Sequence, residues 1–198
     1  MGIDISSEMI SVAHATHCAE RIDFSASDFF QYEPPARVDA ILMRLVLQHL
    51  RGIEPALSRC ATMLRPGGSL YIFEPDPSQF RTLPDTPLLT KLLRKIEECA
   101  LRAQTNRARL SDLPSMLSAG PGWKIDHACN TVAPSISSQS RQQFLHMCLL
   151  WIDILETSES FDFPFEETRV ELEEWATKDP SYGQVGLSLF ALRREADL

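Results

Sequence analysis

The residues of this 198-residue chain that could do chemistry are scattered, and few of them repeat a spacing that chemistry demands. His14, His17 and Cys18 share one helix face, as i and i+3 neighbours do, and could be metal ligands or ordinary helix-face residues. A structural zinc site needs four N or S donors in tight geometry, and no zinc-type spacing occurs elsewhere, so no metal is expected. The five cysteines, Cys18, Cys60, Cys99, Cys129 and Cys148, lie far apart without a C-x-x-C pair. An odd number of isolated thiols is the usage of a reducing compartment, where free cysteines pack as small apolar groups. His49 follows Gln48, and its imidazole could serve as a general base or orient a nucleophile. It could equally open the next helix and bond to a loop carbonyl. Glu74 and Asp76 stand directly after an apolar run and could contact a substrate or cap a following helix.

A second group is aromatic. Phe144, Met147, Leu150, Trp151, Ile154 and Leu155 recur at helical spacing, which is the pattern of a core stripe. The run is apolar on more than one face, and Phe161, Phe163 and Phe165 lie just beyond it. Part of this surface is therefore a candidate substrate lid or dimer contact, with Phe80 and Trp151 as pocket walls for a small, hydrophobic substrate.

The elements that must position these groups alternate. Ser6-Ser7-Glu8-Met9 reads as a capped helix start, and Ile22 to Ala26 alternates as a strand does. Val38 to Met43 is nearly continuous in apolar character, which predicts a strand covered on both faces by helices. Ile53 to Leu64 places Ile53, Leu57, Cys60, Ala61 and Leu64 on one helical face, and Arg65-Pro66-Gly67-Gly68 stops that helix with a left-handed glycine cap. Ser69 to Pro75 is again a buried strand. Helices are predicted over 87–103 and 111–119, a strand over 123–128, helices over 137–156 and 166–177, and a final strand over 187–192. Strand and helix in alternation predict an α/β fold around a parallel sheet.

Bulk properties narrow the function classes. The formal charge of -8 excludes a phosphate-neutralising surface, and Lys91, Arg94, Lys95, Arg102, Arg107 and Arg109 are spaced as the solvated face of a helix, so no nucleic-acid partner is expected. The most apolar segment, Phe144 to Leu155, is shorter than the ~20 residues needed to cross a bilayer. No signal or transit peptide pattern opens the chain. The expectation is one cytoplasmic domain over 1–198, with a cofactor-side half at 1–76 and a substrate-side half at 77–198.

Four stretches together resemble the class I S-adenosylmethionine-dependent methyltransferases. Gly2-Ile3-Asp4-Ile5-Ser6-Ser7-Glu8-Met9 resembles that family's second-strand motif, and Ser27-Asp28-Phe29 its acidic turn after the third strand. Val38 to Leu50 is similar to its fourth-strand segment, and Met63-Leu64-Arg65-Pro66-Gly67-Gly68-Ser69-Leu70-Tyr71-Ile72 to its Leu-(Lys/Arg)-Pro-Gly-Gly signature. Gly186 to Arg193 resembles the family's antiparallel last strand. The resemblance implies a Rossmann-like sheet ordered 3-2-1-4-5-7-6, with S-adenosylmethionine across the carboxyl ends of the strands and S-adenosylhomocysteine as product. It implies that Asp4 binds the ribose hydroxyls, that Ile5 packs near the adenine, and that Asp28 accepts from the adenine amino group. The amide of Phe29 would donate to the ring, Arg44 would lie near the methionine end, and Gln48 and His49 would sit where the pocket opens.

The family's glycine-rich first motif has no counterpart here. The expectation is thus a sheet lacking its first strand and helix, an N-terminally truncated methyltransferase by lineage. The open place would be closed by neighbouring strands, by a second copy, or by a partner chain. Two other functions share this fold: a non-catalytic methyltransferase-like protein that pairs with a partner, and a pocket turned to cyclisation or rearrangement.

Overall fold

The computed structural model describes residues 1–17, 21–105, 113–119, 122–157 and 161–195. Cys18, Arg107, Arg109 and the first two positions of the helix predicted over 111–119 lie outside them. In chain order the elements are β1 (Gly2–Asp4), α1 (Ser7–Thr16), β2 (Phe24–Ala26), β3 (Val38–Arg44), a 3-10 turn (Leu47–His49), α2 (Ile53–Met63), β4 (Leu64–Leu83) and α3 (Pro87–Arg102). They continue with α4 (Leu113–Ala119), β5 (Trp123–Ser135), α5 (Ser138–Glu156), α6 (Phe165–Thr177) and β6 (Tyr182–Arg194).

Strands β1 and β2 form a parallel pair, Gly2 opposite Phe24 and Asp4 opposite Ala26. A second sheet has the order β3-β4-β6-β5, parallel between β3 and β4 and antiparallel at both sides of β6. The antiparallel last strand is as expected. Among the described strands, β1 pairs only with β2 and β3 only with β4, so the two strands that would flank the missing first strand do not close on each other.

Two apolar clusters hold the second sheet from opposite sides. On one face Met43, Leu70, Ile72, Phe190 and Leu192 meet Ile53, Ala56, Leu57 and Cys60 of α2 and Leu113 and Leu117 of α4. The second cluster joins α3, α5 and α6 through Leu89, Leu92, Phe144, Cys148, Ile152, Leu172 and Trp175, and Val185 of β6 packs against it. Val185 is an odd-numbered residue of β6, whereas Phe190 and Leu192 are even, so alternation puts the two clusters on different faces. The apolar stripe of α5 is core where it carries Phe144, Cys148 and Ile152, while Leu150 and Ile154 stay exposed.

Strands β5 and β6 run longer than the predicted 123–128 and 187–192, and three further expectations about elements change. Strand β3 is covered on one face only: Met43 is buried, whereas Leu42 is 68% exposed, because no described helix lies over that side. Strand β4 is 20 residues long rather than seven, because its pairing runs from Val38↔Leu64 at one end to Leu83↔Tyr182 at the other. Helix α2 ends because Leu64 turns extended to join that ladder; the left-handed glycine, Gly67 at φ +75°, sits in the irregular stretch of β4 between Leu64 and Ser69 rather than at the cap. His14 and His17 pack against the ring of Phe24, at 5.5 and 6.1 Å between centroids, which gives both a structural role on α1.

Burial decides the behaviour of the thiols. Cys60 lies 3.8 Å from the Met43 sulfur, and burial pushes its pKa up to about 12; burial raises Cys148 as well. Cys129 is exposed. A disulfide reagent at pH near 8 should therefore label Cys129 in the folded protein and reach Cys60 and Cys148 only after unfolding, as peptide mapping would show. Both buried thiols hold their proton more tightly folded than unfolded. Their contribution is full below the ordinary thiol value and is lost as pH rises from there toward about 12, so the melting temperature falls across that window.

Candidate functional site

The two carboxylates at the ends of β1 and β2 come together through the ladder itself. Asp4 ends β1, its carbonyl accepts from the Ser27 amide at 2.8 Å, and Asp28 follows one residue later. Each carboxylate is pinned by its own local turn. Asp4 Oδ1 accepts from the Ser6 amide at 2.8 Å, and Asp28 Oδ1 from the Phe30 amide at 2.7 Å. Ser6 in turn caps α1 by accepting from the Met9 amide at 3.2 Å. In both acids one oxygen serves the fold, which leaves the other oxygen able to accept from another donor.

Ile5 is 77% exposed beside Asp4. Phe29 is half-buried: its ring meets Phe30 edge-on at 5.1 Å and packs against the first apolar cluster with Val38 and Ile41. The same loop is tied to α2 by Arg59, which donates to the Tyr32 carbonyl and pairs with Glu33 at 2.9 Å. These contacts fix the β1–β2 pair, and with it Asp4 and Asp28, against the β3 side of the molecule.

Beyond β3 the chain turns through Leu45, at φ +57°, into the 3-10 turn. Arg44 is exposed at the carboxyl end of β3. Gln48 is buried and His49 exposed, with the His49 amide donating to the Val46 carbonyl at 3.0 Å. Glu74 is 1% exposed, and its Oε1 accepts from the amides of Val46 and Leu47 at 2.8 and 2.7 Å. Arg44, Gln48, His49 and Glu74 thus gather where β3 ends, beside the middle of β4. Phe80 and Trp151 form a separate group: their rings lie 6.2 Å apart, with Phe144 5.3 Å from Phe80 and Trp175 5.2 Å from Phe144.

An open depression of about 580 Å³ on the uncovered sheet face was not foreseen. Cross-strand register explains its lining. Leu42, Tyr71, Ala191 and His127 make one row across four strands, and Arg44, Phe73 and Leu189 make the next. A continuous apolar run hides such a face, because only tertiary packing tells which alternate positions are covered.

Fold and site together define a Rossmann-like α/β protein with acidic groups gathered at the carboxyl ends of its parallel strands. The family model described as "Methyltransferase domain" matches residues 1–70. A ubiquinone biosynthesis O-methyltransferase of Bradyrhizobium sp. is 31% identical over 74 residues, a match that spans 36% of this chain and 29% of that relative's length. Among solved structures, the YcgJ protein of Bacillus subtilis superposes with a TM-score of 0.56 at 15% identity, covering 99% of this chain and 82% of that one. A phosphoethanolamine N-methyltransferase of Haemonchus contortus, crystallised with S-adenosylmethionine, gives 0.54 at 16% identity, over 98% of this chain and 43% of that one. Residues 1–70 thus match the methyltransferase domain model, and the whole chain shares the Rossmann-like fold of solved methyltransferase structures.

Proposed function

We propose that the protein binds S-adenosylmethionine and transfers its methyl group to a small, hydrophobic molecule. The observation that carries this reading is the pair of acids, Asp4 and Asp28, at the carboxyl ends of adjacent parallel strands. The donor set fits the group: a carboxylate can accept from a vicinal diol, and a second acid can accept from an aromatic amine. Asp4 would hold the ribose and Asp28 the adenine amino group, with Ile5 and Phe29 beside the ring and Arg44 toward the methionine end. When bound, the cofactor supplies an electrophilic methyl group on a sulfonium.

The chain's own work is then to orient the acceptor and exclude water. His49, exposed at the mouth, would take the acceptor's proton or hold the acceptor in line, while Gln48 is packed beneath it. The aromatic group of Phe80 and Trp151 lies apart from these residues and would serve as an apolar wall only for an acceptor long enough to reach it. Calorimetry with S-adenosylhomocysteine tests the reading: a one-site isotherm supports it, and no heat of binding at millimolar ligand sinks it.

The separation of β1 from β3 favours a second, compatible reading of the assembly. Two strand edges lie at this place without a ladder between them among the described residues, and a strand from a second copy or another chain would complete the sheet. Size exclusion with light scattering should then report a dimer or a stable complex. A clean monomer at tens of micromolar contradicts it.

A further inference from the structure

Glu74 is the one buried acid among the described residues, and its partners lie far back along the chain. Oε1 accepts from the amides of Val46 and Leu47, residues 28 and 27 positions upstream. Those amides enter the 3-10 turn that follows Leu45. Leu45 adopts φ +57°, a conformation that branched side chains rarely take, so the turn needs an external tie to persist. The Leu45 amide donates to the Phe73 carbonyl at 2.9 Å, and the Glu74 carboxylate holds the next two amides. The middle of β4, at Phe73 and Glu74, thereby grips three successive amides of the segment linking Arg44 to Gln48 and His49. Burying a carboxylate is costly unless strong hydrogen bonds compensate, and an apolar residue would fill the same space at lower cost.

We propose that Glu74 is a positioning residue rather than a substrate contact: it clips the Leu45–His49 turn to β4 and so sets where Arg44 and His49 stand at the pocket. The proposal rests on the methyl-transfer reading above for its functional half. Its structural half stands on the clip alone.

Glu171 provides an internal control, because it does the same chemistry elsewhere. Its carboxylate on α6 accepts from the Leu88 and Leu89 amides at the start of α3, at 3.0–3.1 Å. Removing either clip should cost stability, but only one should reach the site.

The experiment compares Glu74→Ala, Glu74→Gln and Glu171→Ala by amide hydrogen exchange, thermal melting and calorimetry with S-adenosylhomocysteine. In Glu74→Ala the Val46 and Leu47 amides should exchange at least about tenfold faster, and affinity should fall about tenfold. Glu74→Gln keeps a carbonyl acceptor and should recover most of both. Glu171→Ala should melt earlier with affinity within about twofold of the parent. Unchanged exchange at Val46 and Leu47 in Glu74→Ala overturns the clip. Affinity that tracks melting equally in the Glu74 and Glu171 variants overturns the positioning role. Should Glu74→Ala not fold, Glu74→Met, which fills the space but cannot accept from Val46 and Leu47, takes its place against Glu171→Ala in the same two readouts. If the parent binds no ligand, the methyl-transfer reading and the positioning role fall together, and the exchange data still judge the clip.

Discussion

Replacing Gly186 by alanine should destabilise the protein by roughly 3 kcal/mol, a fall in Tm of about 6–12 °C for a chain of this size. Gly186 lies where the β4–β6 register breaks between Asp76 and Arg81, and the extra residues of β4 arch over it. A Cβ there would stand 2.2 Å from Gln79 Cβ and 2.6 Å from the Asp76 carbonyl oxygen, and backbone cannot swing aside as a side-chain tip can. The arch also carries Phe80 to Phe144 and Trp151, so the loss should appear as lower stability together with altered tryptophan fluorescence. Gly67→Ala is the fitting comparison. It has φ +75° with nothing within 4 Å of the built Cβ, so only backbone strain is at stake, about 1 kcal/mol. Equal, small losses at both positions would contradict the close packing of the arch.

Asp4→Ala should weaken S-adenosylhomocysteine binding roughly 100-fold, since hydrogen bonds to a charged acceptor contribute about 1.5–3 kcal/mol each. The same change frees the Ser6 amide and loosens the entry to α1, so stability alone could mimic part of the loss. Asp4→Asn separates the two effects. Its side-chain oxygen can still accept from Ser6, whereas its amide presents donors where a diol needs acceptors. Calorimetry should show Asp4→Asn nearly as weak as Asp4→Ala, with melting close to the parent. Full affinity in Asp4→Asn would move the ribose away from Asp4.

Much of the site could be read from local chemistry. Ser6 as helix cap and Asp4 at a strand end are decided within a few residues, and the structure places both as the motif implied. Helices α2, α3, α5 and α6 follow their predicted spans closely for the same reason: apolar period and stop residues act at short range. What stayed hidden depends on partners far along the chain. The length of β4 is set by β6, about a hundred residues further along the chain, and the clip at α3 by Glu171. Glu74 was visible as an acid after an apolar run, but the amides it holds are 27 and 28 residues upstream. The exposed rows through Leu42 and Tyr71 looked like double-sided core, because residue type alone does not say which face is covered.

The most direct test of cofactor binding at the β1–β2 carboxylates is a titration of the 198-residue chain with S-adenosylhomocysteine followed by amide NMR. Saturable shifts clustered at Asp4, Ile5, Asp28, Phe29 and Arg44 are the expected result. Absence of saturable shifts, or shifts confined to the sheet face around Tyr71, His127 and Leu189, would contradict it.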